Sequence, residues 1–166
     1  HIGCGREENQ DAYAALSVHD GTLVVVCDGM GGVAGGRVAS YAAIEEFCSH
    51  FSSRFSDLAP EDAVDQYALH RLYSDAIYAA NRAVFDRAVT VPELGGMGTT
   101  LSAAYLLGEQ LFVANVGDSR VYLFRKGQLI RVSHDDSVIQ QMIDEGRLSE
   151  KEARQSECRH LLTRAI

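Results

Sequence analysis

The 166 residues carry 15 Lys and Arg against 23 Asp and Glu, a net charge of −8 with a pI near 5.1, which argues against nucleic acid or an anionic membrane surface as a partner. At 46% hydrophobic residues the chain has the material for one core and reads as a single domain, 1–166. No apolar run approaches the length of a membrane span and no signal peptide is visible, although the chain opens at His1 and leaves open a targeting segment ahead of it.

In chain order, a strand from about Ala12 to Val18 meets a turn at His19-Asp20-Gly21 and returns as Thr22 to Cys27, a hairpin signal. Gly35-Gly36 opens a helical pattern through Val38, Ala42, Ile44 and Phe47. Pro60-Glu61-Asp62 reads as a second helix start with acids in its first turn, continuing through Val64, Ala68, Leu72, Ala76, Ala80 and Val84. Strands follow at about Thr99–Leu106, Gln110–Val116, Arg120–Phe124 and Leu129–Val132, with turns at Gly108-Glu109 and Lys126-Gly127. From Ser137 to Arg159 the pattern turns helical again. Val138, Met142 and Ile143 give a short amphipathic helix ended by Gly146, and Ser149-Glu150-Lys151-Glu152 gives an N-capped second one. Strands, long helices, then more strands point to an α+β protein with two antiparallel sheets. The cysteines, Cys4, Cys27, Cys48 and Cys158, have no CxxC spacing, so neither zinc nor a redox motif is indicated, and buried reduced thiols in the cytoplasm are expected.

Two segments share one design. Val24-Val25-Val26-Cys27-Asp28-Gly29-Met30-Gly31-Gly32 is an apolar run, read as a buried strand, that delivers a carboxylate to its end and turns at once through glycines. Leu111-Phe112-Val113-Ala114-Asn115-Val116-Gly117-Asp118-Ser119-Arg120 repeats it, and Asp11 adds a third carboxylate in Arg6-Glu7-Glu8-Asn9-Gln10-Asp11. Three separated Asp residues beside permissive backbone suit a hard divalent cation such as Mg2+ or Mn2+ better than a His or Cys site would. A plain Asp-Gly turn after Cys27 and a tight turn at Asp118 are the competing accounts. A P-loop is excluded because Gly31-Gly32-Val33-Ala34-Gly35-Gly36-Arg37 lacks the Gly-Lys-Ser/Thr ending. No Gly-x-Ser-x-Gly elbow is present, and Ser119 has no convincing His partner; His134 reads as part of the loop into the helical segment.

Arg6 with Asn9-Gln10-Asp11, then Asp28-Gly29-Met30-Gly31-Gly32, Gly98-Thr99-Thr100, Gly117-Asp118-Ser119-Arg120, Ser133-His134-Asp135-Asp136-Ser137 and the closing Leu161-Leu162-Thr163-Arg164-Ala165-Ile166 resemble, in that order, the bacterial branch of the PP2C (PPM) phosphatases. The resemblance implies an α-β-β-α sandwich and a metal-dependent protein serine/threonine phosphatase that hydrolyses phosphoserine and phosphothreonine with a metal-activated water. It implies two Mn2+ or Mg2+ ions, with a third, weaker site at Asp118. On the family pattern Asp28 bridges the two ions, the Gly29 carbonyl ligates one, Asp11 supports the shell through water, and Arg6 grips the phosphate. Its partners would be phosphorylated proteins and a cognate Ser/Thr kinase or that kinase's targets, and the protein itself a monomer. Residues 136–160 correspond to a mobile flap beside the active site, a candidate for specificity rather than catalysis. A salt bridge from Arg6 to Glu7 or Glu8 is the structural alternative for that arginine, and Arg37 and Arg120 are read as structural.

Three departures stand out. Gln10 sits where many members have Glu and brings no charge. Met30 stands where some eukaryotic relatives place a His, as it commonly does in bacterial ones. The family's later Ser-Asp-Gly and Asp-Asn motifs do not occur before Ile166, so the domain reads as C-terminally incomplete, weak in metal binding and turnover as an isolated unit, with unpaired strand edges and apolar face. A non-catalytic, phosphoprotein- or kinase-binding pseudophosphatase is the rival from another class, and a phosphatase for small molecules is a third reading.

Overall fold

The structure is a computed structural model that describes residues 2, 4, 8–32, 35–58 and 65–166. Strands β1 (Asp11–Val18) and β2 (Gly21–Met30) form an antiparallel hairpin around His19-Asp20, with His19 at φ 50°. Helix α1 (Gly35–Ser56) follows, then α2 (Gln66–Thr90) and a 3-10 turn at Pro92–Leu94. Strands β3 (Gly98–Thr99), β4 (Leu101–Leu107) and β5 (Gln110–Val116) complete a five-stranded antiparallel sheet in the order β1-β2-β4-β5, with β3 beside β2. Strands β6 (Tyr122–Arg125) and β7 (Gln128–Arg131) make a second, two-stranded sheet whose Lys126-Gly127 turn has positive φ at both residues, the twist a tight hairpin needs. Helices α3 (Val138–Asp144) and α4 (Glu150–Ala153) and a 3-10 turn at Glu157–His160 come last. The expected α+β class with two antiparallel sheets is what the chain adopts.

The core lies between one face of the large sheet and the two long helices. Ala39, Ala43, Phe47, Phe51 and Phe55 recur every fourth residue of α1 and put a single ridge onto Leu23, Val25, Leu101, Ala103 and Tyr105. Phe51 is edge-on to Tyr105 with ring centroids 5.4 Å apart, and tilted to Tyr73 of α2 at 5.1 Å. Each buried tyrosine has its hydroxyl satisfied. Tyr105 Oη donates to the Val18 carbonyl at 2.9 Å, and Tyr73 Oη to the Phe112 carbonyl at 3.0 Å. Small residues lie on α1 near its start and phenylalanines toward its end, so the helix comes closest to the sheet beside Gly29.

Several expected boundaries shift. The strand expected to end at Cys27 runs on to Met30, so Asp28 lies within the ladder and the turn begins at Gly31. Nor is that strand wholly buried: Leu23, Val25 and Cys27 point at the helices, while Val24 (44% exposed) and Val26 (48%) point away, because α1 and α2 cover only one face. The strand expected over Thr99–Leu106 is two pieces, β3 and β4, parted at Thr100. The second helix begins at Gln66, where Asp65 caps it by accepting from the Ala68 amide at 2.8 Å; its extended backbone (ψ 124°) stops the helix from reaching back to Val64. Pro60-Glu61-Asp62 and Val64 lie outside the described residues.

Of the cysteines, only Cys27 is fully buried; Cys4 is exposed and Cys48 and Cys158 are half-buried, which corrects the expectation of four buried thiols. Burial pushes the Cys27 thiol up to about 12 and that of Cys48 to about 11. Iodoacetamide at pH 8 should therefore alkylate Cys4 in the folded protein and spare Cys27 until denaturant is added. Mass mapping of the alkylated peptides checks this, and early labelling of Cys27 would contradict the packing described.

Candidate metal centre

The register of the β1–β2 hairpin sets Asp11 directly opposite Asp28 on the sheet face that the helices do not cover, and both are exposed. Like charges in direct cross-strand register destabilise a sheet unless a cation lies between them. All-oxygen donors of this kind suit a hard divalent ion, so the residues present fit one.

The backbone of Asp28 is held on both sides. Its N–H donates to Thr100 Oγ1 at 3.0 Å, and its carbonyl accepts from the Thr100 amide at 3.0 Å and from Thr99 Oγ1 at 3.0 Å. Thr100 Oγ1 also lies 2.7 Å from Ser119 Oγ. One hydroxyl thus joins the Asp28 strand to the loop that carries Asp118. Gly117 enters that loop at φ 98°, packed against Thr100. Thr99, Thr100 and Ser119 stand in the motifs read from the sequence, but their positioning role was missed. Two adjacent β-branched hydroxyl residues at a strand break are the signal that could have found it.

Gln10 fills its place through its amide. The Gln10 carbonyl accepts from the Gly29 N–H at 3.2 Å and from Ser40 Oγ at 2.7 Å, while Nε2 donates to the Gly32 carbonyl at 3.0 Å and ties down the Gly31-Gly32 turn. A carboxylate could not make that last bond, because it has no proton to give. Above it Gly29 and Gly36 touch backbone to backbone, and a Cβ on Gly29 would overlap the Gly36 carbonyl.

Not every expected ligand converges. Asp11 and Asp28 are paired; Asp118 is exposed on its loop, and among the described residues no three His, Cys, Asp or Glu side chains form a metal-binding group. Arg6 and Glu7 lie outside the described residues. Glu8 is taken by Arg37 at 2.7 Å, which gives Arg37 the structural role expected of it.

Two adjacent acids anchor the Asp118 loop. Asp136 exchanges with Gly117, its amide donating to the Gly117 carbonyl at 2.8 Å and its Oδ2 accepting from the Gly117 N–H at 3.3 Å. Asp135 is 5% exposed and accepts from Arg120 (2.6 Å) and Arg131 (2.7 Å). The hydrogen bonds that Arg120 donates to Asp135 hold its guanidinium above its ordinary range. His134 Nε2 is 2.8 Å from Asp144 Oδ2 at the entrance to α3, as its sequence position implies. Replacing Asp135 by Asn should cost about 2 kcal/mol in a urea titration, since two part-exposed guanidinium groups lose a buried counter-charge. An unchanged midpoint would show that water screens the pair completely.

At the end of the chain, Ile166 exchanges both backbone hydrogen bonds with Thr99, at 3.0 and 2.9 Å, and braces the Thr99-Thr100 pair from the side away from Asp28. The two helices expected between Ser137 and Arg159 are present: Gly146 ends the turn after α3 at φ 69°, Ser149 and Glu152 form a full capping box on α4, and Ser137 additionally caps α3.

A family model described as protein phosphatase 2C matches residues 3–163. The serine/threonine protein phosphatase PstP of Mycobacterium tuberculosis is 36% identical over 165 residues, which cover 99% of this chain and 29% of that protein. The serine/threonine phosphatase stp of Listeria monocytogenes is 30% identical over 162 residues, covering 97% of this chain and 62% of its own length. The crystal structure of M. tuberculosis PstP/Ppp superposes with a TM-score of 0.82 at 35% identity, over 100% of this chain and 65% of that one. A PstP catalytic domain solved in complex with two manganese ions matches with a TM-score of 0.77 at 34% identity, over 99% of this chain and 63% of that one. This chain therefore spans less than two thirds of the length of these curated relatives.

Proposed function

The chain belongs to the protein phosphatase 2C family, and on that premise we propose that it carries the chemistry of a metal-dependent protein serine/threonine phosphatase that hydrolyses phosphoserine and phosphothreonine. The observation that carries the reading is the cross-strand pair Asp11–Asp28, with Asp28 clamped by Thr99 and Thr100. That a similar PstP catalytic domain was solved with two manganese ions supports assigning Mn2+ or Mg2+ to this chain. Bound divalent ions supply neutralisation of phosphoryl charge and acidify water toward neutrality. Asp28 and the Gly29 carbonyl would hold them, Asp11 would support the shell, and Asp118 would serve a further, weaker site. Arg6 would bind the phosphate through its planar guanidinium. Residues 136–160 would act as a flap governing access, and the enzyme would work as a monomer against a Ser/Thr kinase. Among the described residues no helix is long and apolar enough to cross a membrane, and a cytoplasmic site of action accords with that.

The test is hydrolysis of a phosphothreonine peptide by the protein carrying this chain. Release of phosphate in Mn2+, abolished by EDTA and restored by Mn2+, is the expected result. Tight peptide binding without hydrolysis in millimolar Mn2+ would overturn it in favour of a pseudophosphatase. Faster turnover of a sugar phosphate than of the peptide would move the substrate class to small molecules.

A further inference from the structure

Four of the chain's 15 Lys and Arg, namely Arg120, Arg131, Arg154 and Arg159, line one open cleft of about 340 Å³ between the β7 end of the small sheet and the helices α3 and α4. This concentration of positive charge is set in a protein of net charge −8. Asp135 beneath the cleft is committed to Arg120 and Arg131, at 2.6 and 2.7 Å, and Glu150 is the other acid on the wall. Four cations against two carboxylates leave the cleft with a charge of +2. Among the described residues Arg154 and Arg159 make no ion pair or side-chain hydrogen bond, so the surplus sits on two guanidinium groups with free donor edges. Arg120 and Arg131 are fixed by their shared carboxylate and form a rigid back wall.

We propose that this cleft is a docking site for a phosphomonoester dianion, supplied by a second phosphorylated residue of the substrate rather than by the one being hydrolysed. The charge matches a phosphate dianion, and guanidinium forks match its oxygens in pairs. Arg120 stands two residues beyond Asp118 and Asp135 is bonded next to Asp136, so the cleft and the Asp118 loop share one short stretch of backbone. A chain held at one would be presented at the other. The substrate part of this proposal rests on the phosphatase reading; the anion site does not.

The two parts separate in one experiment on the protein carrying this chain. In EDTA, inorganic phosphate is titrated and arginine side-chain and backbone amide NMR shifts are followed. Saturable shifts at Arg154, Arg159 and Ser137 are expected, weakened about tenfold or more in R154Q/R159Q. Neither arginine holds another part of the fold, so that variant should keep its native spectrum. R71Q/K126Q removes the same charge elsewhere and should leave phosphate affinity unchanged. No shift in the cleft, or equal weakening in both double variants, overturns the anion site. With Mn2+, a doubly phosphorylated peptide should then show a lower KM than its singly phosphorylated counterpart, with kcat unchanged and the advantage lost in R154Q/R159Q. Phosphate binding without that advantage would assign the cleft to free phosphate and overturn its role in substrate selection. Hydrolysis of neither peptide, with cleft binding intact, would instead count against the phosphatase reading.

Discussion

Asp28→Asn should lower kcat for phosphopeptide hydrolysis by about a hundredfold to a thousandfold, the largest activity loss expected from any one described residue. The amide keeps the size of the side chain and leaves the bonds from the backbone to Thr99 and Thr100 in place, so the fold should persist. What goes is the charge opposite Asp11. A second readout does not depend on turnover: Mn2+ should raise the melting temperature of the parent protein, by about 2.7 kcal/mol of added stability at a hundredfold excess over Kd. It should leave Asp28→Asn nearly unmoved. Equal metal stabilisation of both proteins would place the cation somewhere other than the Asp11–Asp28 pair.

Gly29→Ala should be the most damaging single change to stability, at about 3 kcal/mol or more by urea denaturation, because its methyl would meet a main-chain carbonyl of α1. Backbone cannot swing aside as a long side chain can. Either α1 lifts from the sheet or β2 bends, and both would spoil the bond from Gly29 to Gln10 and the placing of Asp28. Gly32→Ala makes the comparison. Its φ is 56° with nothing within 4 Å of a Cβ, so only the left-handed backbone is strained, for about 1 kcal/mol. Similar losses for the two would mean that conformation, not close packing, is what Gly29 supplies.

Much of this was legible in the residues. Apolar runs and the three tight turns gave β1, β2, β5, β6 and β7 to within a few residues, because hairpin turns are chosen by local backbone chemistry. The end of α3 and the start of α4 followed from Gly146 and Ser149 for the same reason. Less legible was anything set by a partner distant in sequence. The strand was read as ending at Cys27, with Asp28 opening the turn, yet β3 and the Thr100 hydroxyl continue the pairing past it. The run Val24 to Val26 was read as buried on both faces because nothing in one strand's sequence tells which face its helices will cover. Arg120 and Arg131, eleven residues apart, gave no hint that Asp135 would draw both together. Gln10 was registered as a lost charge, and its donation to Gly32 depends on a turn that only the folded hairpin brings near. The place of Asp118, exposed on its loop apart from the Asp11–Asp28 pair, is likewise set by long-range geometry that its own turn does not encode.

Asp135 and Asp136 are neighbours in the chain, yet one faces the arginines and the other the Gly117 loop. That places a constraint on how such a protein can evolve. Inserting a residue between them would turn one of the two away from its partner, releasing either the loop or the arginine wall. Changes of length can be absorbed only where no such paired duty exists, as at the exposed Gly146 and Arg147 between α3 and α4. Drift in substrate choice would therefore proceed by substitution along the cleft rim, at Glu150, Arg154 and Arg159, and by resizing that turn, while the acid pair and its spacing from Gly117 stay fixed.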